Sequence, residues 1–272
     1  MGLLGPNGAG KTTTIRMIMD IIEPDGGSIS FGNNGLGPTS KKKIGYLPEE
    51  RGLYEDATAG DVLKYLGTLK GLGKRTARDK AQKWLQKMNL PGEEETKISE
   101  LSKGMAQKVQ FIAAILHEPE LAILDEPFAG LDPVNQDLFR ELIRDLRESG
   151  TTILLSSHRM NMVEELCERV FMIHRGKEIL YGKLSKLKEN FGKEVVELTY
   201  IGNPETIPNT FGTNITDLEI GKGRAKFYIE KGYSPDRFIR ELPEEIKVEE
   251  ISVRKPPLHD IFVAKAQGGP HE

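Results

Sequence analysis

The chain contains very little cysteine, with Cys167 as the only one among its 272 residues. It cannot form an intrachain disulfide, and we expect Cys167, in the amphipathic run MNMVEELCERV, to be a small buried hydrophobic residue in a reducing compartment. A strong excess of one charge is also lacking, because 38 Lys and Arg face 41 Asp and Glu, for a net charge of -3. This balance gives no general attraction to nucleic acid, so no nucleic-acid partner is expected.

Long apolar runs are missing as well. The longest, FIAAIL, is far shorter than a transmembrane helix, and the N-terminus lacks the charged start and apolar core of a signal peptide. A hydrophobic content of 38% is enough for one ordinary core and a smaller second domain. We therefore expect a soluble, globular chain of one or two domains.

Three short apolar or β-branched runs each end at polar residues. Leu3-Leu4 leads into Gly5, LAIL at 121–124 leads into Asp125-Glu126, and TTILLSS at 151–157 leads into His158. Such runs between helical segments are typical of parallel strands buried on both faces, and ligands of such sheets bind at the carboxyl ends of the strands. The sequence thus predicts that these polar ends converge on one site.

Helical periodicity and changes in texture divide the rest of the chain. Helices are predicted over 12–22, 58–69, 74–88 and after Ser102, so that residues from about 54 to 118 form a helical insertion between sheet elements. From Val195 onward, VVELTY, AKFYIE and KVEEISV favour strands, whereas SPDRFIREL and LHDIFVAKA favour helices. We predict a first domain over 1–192 and a small α+β domain over 193–272.

The segment GPNGAGKT matches the phosphate-loop pattern G-x-x-x-x-G-K-[ST] in full. Glycines let backbone N–H groups point at phosphate oxygens, the following helix directs its positive end inward, Lys11 supplies a mobile charge and Thr12 an oxygen for Mg²⁺. An accidental glycine-rich turn is the alternative, but a strand before and a helix after favour the phosphate loop. The predicted nucleotide-binding residues here are Gly5, Pro6, Asn7, Gly8, Ala9, Gly10, Lys11, Thr12 and Thr13.

The segment LAILDEP supplies a second part of such a site. Asp125 can hold Mg²⁺ through its water shell, and Glu126 can orient, or accept a proton from, the water that attacks the γ-phosphate. The pair could instead be a helix cap and a surface charge, although its combination with the phosphate loop makes the catalytic interpretation stronger. His158, at the end of a third strand, is predicted to contact the γ-phosphate, and Lys11, Glu126 and His158 are the candidate catalytic residues.

Together, GPNGAGKT, LSKGM, LAILDEPFAGLDP and SSHRM resemble the nucleotide-binding subunit of an ABC transporter, over residues 2 to about 190. This resemblance implies an α/β P-loop NTPase fold with a mostly parallel sheet, a helical subdomain and a small C-terminal α+β domain. It also implies that Ser102 and Gly104 form a signature loop facing ATP held by a second subunit, and that Asp132 reports across that dimer. Without the other motifs, Ser102 would be an N-cap and Asp132 a turn former.

The resemblance further implies a function. IGYLPEERGLY and PPLHDIF are similar to ATPase subunits of sodium-extrusion and drug-exporting permeases. We expect an ATPase with ATP and Mg²⁺ as its cofactors, acting as a homodimer on a separate transmembrane permease that docks near residues 51–54 and the helical insertion. The resemblance therefore implies that the subunit is cytoplasmic and binds peripherally to the inner face of the cell membrane. The alternatives are a soluble ABC ATPase unlinked to transport and a nucleotide-binding regulator without turnover.

Three departures from the family pattern bear on this reading. Glu49 stands where the family usually has glutamine, and a carboxylate there still coordinates Mg²⁺ although it cannot donate a hydrogen bond. Glu49 could also simply face solvent. The signature has Lys103 and Met105 where Gly and Gln are common, while Ser102 and Gly104 are retained. Related subunits begin with further strands and an adenine-stacking aromatic residue, so we expect a misassigned start codon or a shortened chain rather than a natural start.

Overall fold

The computed structural model describes residues 1–32, 34–35, 37–50 and 52–266, which divide into two compact units, one from Met1 to Tyr181 and one from Gly182 onward. This division lies eleven residues before the predicted boundary, because α8 (Leu184–Phe191) belongs to the second unit. None of the helices in these ranges combines the length and apolar character that a membrane span requires.

The first unit is built on a six-stranded sheet with the order β4-β5-β6-β1-β7-β8, in which all the neighbouring pairs from β4 to β7 are parallel. The strands of this unit are β1 (Gly2–Leu4), β2 (Ser30–Phe31), β3 (Asn34–Gly35), β4 (Ile44–Leu47), β5 (Leu121–Asp125), β6 (Thr152–Ser157), β7 (Arg169–His174) and β8 (Lys177–Lys183). Of these, β2 and β3 form a separate two-stranded ribbon. The helices of this unit are α1 (Lys11–Ile18), α2 (Pro38–Lys41), α3 (Ala59–Leu69), α4 (Lys74–Lys87), α5 (Lys103–Ile115), α6 (Pro133–Glu148) and α7 (Met160–Leu166).

The central strands are covered on both faces, as their unbroken apolar sequences predict. Ala122, Ile123 and Leu124 of β5 are all fully buried. The mostly parallel α/β architecture expected of a P-loop NTPase is thereby confirmed, and α3, α4 and α5 fill the stretch between β4 and β5. Helix α1 ends four residues earlier than predicted, because Asp20 adopts a positive φ of 55° and the N–H of Ile21 bonds back to the carbonyl of Arg16.

The register of the sheet aligns the three predicted polar ends. Leu4 of β1 lies opposite Ser157 of β6, and Asp125 of β5 lies opposite Ser156. The residues that follow these positions, Gly5, Glu126 and His158, therefore leave the sheet at the same edge. The sheet thus supplies the convergence that the sequence predicts.

The second unit contains a four-stranded antiparallel sheet with the order β10-β11-β9-β12. Its elements after α8 are β9 (Glu194–Ile201), α9 (Thr206–Phe211), β10 (Ile215–Gly221), β11 (Arg224–Ile229), α10 (Pro235–Arg240), β12 (Lys247–Arg254) and α11 (Leu258–Ala266). From β9 to β12 the sequence of elements is βαββαβ, the split βαβ arrangement of ferredoxin-like domains. Phe238 of α10 packs at its core, with ring centroids 4.6 Å from Phe211 and 5.4 Å from Phe227.

Candidate functional site

The loop of residues 5–12 turns sharply from β1 into α1 and requires glycine at two places. A Cβ on Gly5 would lie 2.3 Å from the carbonyl oxygen of Ile173, so no other residue fits there without a shift. Gly10, which immediately precedes α1, has a φ of 111°, a conformation that favours glycine. The loop closes on itself through the N–H of Ala9, which donates to the carbonyl of Pro6 at 3.1 Å. This geometry leads directly into a helix N-terminus, where backbone N–H groups bind phosphate.

Lys11 lies at the centre of the buried part of the site. Its Nζ donates to the carbonyl oxygens of Gly5 at 2.8 Å and Pro6 at 3.3 Å. The same Nζ is 3.9 Å from Oε1 of Glu126, and only 7% and 8% of the two side chains are exposed. A cation from the phosphate loop and a carboxylate from the end of β5 therefore meet in a site largely closed to solvent.

Glu126 is held firmly and has an unusual backbone. Its Oε1 accepts a hydrogen bond from the main-chain N–H of His158 at 2.8 Å and contacts His158 Nδ1 at 2.8 Å, while Ser157 Oγ donates to its Oε2 at 3.3 Å. Its φ of 48° lies in the left-handed region that side-chain-bearing residues rarely adopt, and such strain concentrates at functional sites. The structure thus brings together all three candidate catalytic residues, Lys11, Glu126 and His158.

Asp125 differs sharply from its neighbour. It is fully buried, and among the described residues neither of its carboxylate oxygens nor Oγ of the adjacent Ser156 has a hydrogen-bond partner. Burial and then the negative charge of Asp125 raise the pKa of Tyr46 on β4. An unpaired buried carboxylate is costly. This orphaned carboxylate therefore fits a bound cation.

Mg²⁺ is the cation that these donors suit. It prefers oxygen ligands and is usually held by one or two protein groups together with substrate phosphates and water. Within the described ranges no group of three His, Cys, Asp or Glu side chains converges on a metal position. Thr12, in the first turn of α1, offers a partly buried hydroxyl oxygen, and α1 contacts β5, which carries Asp125.

The predicted residues outside the phosphate loop and the catalytic cluster include Glu49, which leaves the sheet at the same edge as Glu126 because Leu47 of β4 lies opposite Leu124 of β5. Glu49 is exposed two residues after β4. Ser102 and Asp132 are exposed N-caps, with Ser102 Oγ accepting from the N–H of Met105 at 3.3 Å and Asp132 Oδ1 from the N–H of Asn135 at 2.9 Å. The hydrogen bonds from Asn135 lower the pKa of Asp132. No hydrogen bond or ion pair within the described part of the chain joins these residues or Gly104 to Lys11, Glu126 or His158.

Sequence reasoning missed three residues that touch or flank the site. Ser157 bonds the Glu126 carboxylate, Ser156 lies beside Asp125, and Gln110 of α5 bonds the main chain on both sides of Glu49. The two serines could have been found as polar endings of the apolar run TTILLSS. Gln110 carries no such signal, because its partners are some sixty residues away in sequence.

Two family models match the chain, one within each of the two structural units. The family described as "ABC transporter" matches residues 1–129, and "ATP-binding protein DrrA1-3-like, C-terminal domain" matches residues 182–266. The ABC transporter ATP-binding protein YhaQ of Bacillus subtilis is 43% identical over 97% of this chain and 88% of its own. The Nod factor export ATP-binding protein I of Rhizobium sp. (strain N33) is 30% identical over 96% of this chain and 86% of its own.

A solved structure shows the same fold. The structure described as an ATP-binding subunit of an ABC transporter is 34% identical, covers 70% of this chain and 81% of its own, and superposes with a TM-score of 0.66. The phosphate loop, the buried carboxylates at the end of β5 and the likeness to YhaQ along nearly the whole length agree with one another. The chain belongs to the family of ABC transporter ATP-binding proteins, ATPases that bind and hydrolyse ATP.

Proposed function

We propose that the chain is the ATPase subunit of an exporter, of sodium or a drug, that works as a homodimer and drives a separate transmembrane permease from the inner face of the cell membrane. The cluster of Lys11, Glu126 and His158, in which the side chains of Lys11 and Glu126 are buried, carries this proposal, because it combines a phosphate-binding cation with a held carboxylate at one edge of the sheet. The relative named for Nod factor export, which aligns with 96% of this chain, supports the direction of transport.

Each residue of the cluster has a distinct task in ATP hydrolysis. Lys11 neutralises negative charge on the phosphates that the glycine loop binds through its N–H groups. Glu126 orients the attacking water and accepts its proton, and His158 fixes the Glu126 carboxylate through two contacts. Thr12, Asp125 and Glu49 would hold Mg²⁺, which would supply positive charge to neutralise the charge that develops on the phosphates.

We further propose that each ATP is shared between two copies. Ser102, Gly104 and Asp132 lie at the N-terminal ends of α5 and α6, and Ser102 and Asp132 are exposed, so a second copy can approach them. The hydroxyl of Ser102 and the N–H groups of its helix are suited to an anion. In this arrangement Ser102 faces the γ-phosphate held by Lys11 of the other copy.

Mixing two inactive variants tests this sharing. Lys11→Ala removes the phosphate cation and Ser102→Arg blocks the serine turn, so each variant alone should lose turnover. If the sites lie between copies, random pairing gives heterodimers with one intact site, and the mixture should recover about a quarter of wild-type ATPase activity. If each copy contains a complete site, the mixture will stay inactive, and the shared-site proposal is wrong.

The permease would dock beside the exposed aromatic side chains of the helical insertion. Tyr54 and Tyr65 are 57% and 46% exposed, and their ring centroids are 5.9 Å apart. Leu53 and Leu66, their neighbours in sequence, line a cavity of about 270 Å³ together with Tyr46 and Leu69. Arg51, part of the predicted docking segment, lies outside the described residues. A short permease helix suits this surface because its apolar side chains can enter the cavity.

Purification from membranes tests the docking. Tyr54→Asp with Tyr65→Asp should abolish co-purification of an integral membrane protein while basal ATPase activity persists. Tyr181→Asp is the matched control, because Tyr181 is similarly exposed, at 51%, and should keep the partner. If the wild-type chain hydrolyses ATP but captures no membrane protein, a soluble ATPase becomes the better description. If the chain binds ATP without hydrolysing it, a nucleotide-binding regulator becomes the better description.

A further inference from the structure

Gln110 of α5 holds the main chain on both sides of Glu49. Its Nε2 donates to the carbonyl oxygen of Pro48 at 3.2 Å and to that of Glu50 at 3.1 Å. Because both partners are acceptors, the NH₂ end of the amide must face them, so its orientation is fixed by chemistry. Gln110 is only 4% exposed. These two bonds are partly buried.

Helix α5 also packs closely against β4, the strand that leads to Glu49. A Cβ on Gly45 of β4 would lie 2.0 Å from the carbonyl oxygen of Ala114, so β4 approaches α5 as closely as glycine allows. Gln110 is one turn earlier on α5 than Ala114, at the level where β4 has ended and residues 48–50 begin. Helix α5 and strand β4 thus run in opposite directions. Gln110 therefore lies beside residues 48–50, called here the Glu49 loop.

Helix α5 also connects Gln110 to Ser102, the predicted signature residue at its N-terminal end. Ser102 caps α5 eight residues before Gln110, which corresponds to about 12 Å along the helix axis. A helix of this length is a rigid element. A displacement of Ser102 along the axis is therefore carried to the peptide groups around Glu49.

We propose that Gln110 is a positioning residue for Glu49, fixing that carboxylate for Mg²⁺·ATP by holding the peptide groups before and after it and joining its loop to helix α5. This inference rests on the proposed role of Glu49 as a magnesium ligand. Partners that orient metal ligands without touching the metal commonly contribute 10- to 100-fold to affinity. Gln110 acts in this way through main-chain carbonyls rather than through the Glu49 side chain.

The test uses Gln110→Met, which keeps length and volume but removes the donor. Isothermal titration with a slowly hydrolysed ATP analogue at stepped Mg²⁺ concentrations measures how strongly Mg²⁺ tightens nucleotide binding. We expect Gln110→Met to raise the Mg²⁺ concentration for half-maximal tightening by about tenfold. In the Glu49→Ala background the same substitution should add little, because the residue that it positions is gone.

Gln107→Met is the matched control. Gln107 lies on the same helix, is also 4% exposed and donates to the carbonyl of Pro127, at 3.4 Å, rather than to the Glu49 loop. Its effect on Mg²⁺-dependent tightening should be the same with and without Glu49. Hydrogen exchange of the peptide covering residues 46–50 gives a second readout, and it should accelerate in Gln110→Met and not in Gln107→Met.

The outcomes separate this inference from the proposed function. If Glu49→Ala leaves the Mg²⁺ dependence unchanged, Glu49 is not a magnesium ligand and both ideas are wrong. If Glu49→Ala weakens the dependence but Gln110→Met matches wild type, Glu49 keeps its role and the positioning role is wrong. Should Gln110→Met fold poorly, Gln110→Glu, which places a carboxylate against the same two carbonyls, must weaken the Mg²⁺ dependence at least as much.

Discussion

The first unit buries polar and charged side chains in addition to its apolar core, whereas the buried side chains that the structure identifies in the second unit are apolar or aromatic. Every buried polar or charged residue that the structure identifies in the described ranges lies before Gly182, namely Lys11, Ser40, Gln107, Lys108, Gln110, Asp125, Glu126, Ser156 and Ser157. The core of the second unit is a cluster around Phe211, Phe227 and Phe238. Burying a polar group costs stability unless the group is paired. The first unit therefore accepts a cost for its buried polar and charged side chains that the second unit does not have.

This difference separates groups kept for chemistry from groups kept for packing. Five of the buried polar residues, Lys11, Asp125, Glu126, Ser156 and Ser157, lie at the carboxyl edge of the six-stranded sheet. Substitutions there should change turnover more than stability, and substitutions in the phenylalanine cluster should do the reverse.

The largest expected effect is on catalysis. Glu126→Gln keeps the shape of the side chain but removes the base, so ATP turnover should fall by about 10³-fold. Glu230→Gln is the matched control, because Glu230 is ion-paired with Lys193 in the second unit. A coupled phosphate-release assay measures both. Equal turnover in Glu126→Gln and wild type would remove Glu126 from the mechanism.

Packing should dominate the second unit. Phe238→Ala opens a cavity in its core and should lower its free energy of unfolding by about 4 kcal/mol, with little change in ATP turnover. Phe139→Ala, an equally buried position in the first unit, should instead shift the unfolding of that unit. Differential scanning calorimetry of the two variants measures both transitions. If both variants shift one common transition equally, the units do not unfold separately.

Acid should destabilise the first unit through His117. Burial, and next the charge of Lys70, lower the pKa of His117 to about 4, whereas an unfolded imidazole titrates near 6.5. Between these values the unfolded chain binds more protons, so stability falls as the pH drops from about 6.5 to 4. The loss should reach about 2 kcal/mol after allowing for partial exposure.

Urea unfolding at stepped pH measures this loss. His117→Gln should remove most of the pH dependence over that interval, because glutamine carries no titrating proton. Tryptophan fluorescence is a suitable signal, since the single Trp84 lies on α4 of the first unit. An unchanged pH dependence in the variant would assign the acid sensitivity to other groups.

The smallest effect comes from two matched helix caps. Ser102 caps α5 by accepting from the N–H of Met105, and Ser234 caps α10 by accepting from the N–H of Arg237 at 3.2 Å. Replacing either by alanine should cost about 1 kcal/mol of stability. Ser102→Ala should in addition slow ATP turnover, and Ser234→Ala should not. Equal turnover in the two variants would reduce Ser102 to a structural cap.

The sequence predicts those features that depend on neighbouring residues. The loop from Gly5 to Thr12 is contiguous, so its glycines and Lys11 can be recognised together, and the runs before Asp125 and His158 show that both follow buried strands. The predicted convergence then follows from the rule for parallel sheets. The roles of Ser102, Gly104 and Asp132 toward a second copy remain predictions.

Contacts between distant segments could not be predicted in this way. The register that places Asp125 beside Ser156 depends on how β5 and β6 align, and the clamp from Gln110 to Glu50 joins residues sixty positions apart. The early end of α1 at Ile18 depends on the backbone of Asp20 rather than on hydrophobic periodicity. These features arise from packing, which pattern and propensity describe poorly.

His158 contacts the Glu126 carboxylate both through its side chain and through its main chain. One of the two contacts from His158 comes from its imidazole and the other from its peptide N–H, each at 2.8 Å. Exchanging the ring for any side chain except that of proline, which has no main-chain N–H, leaves the second anchor intact, so most substitutions at this position weaken the restraint without abolishing it. Complete release of the carboxylate would require a rearrangement of the turn after β6, for example by insertion of a residue there.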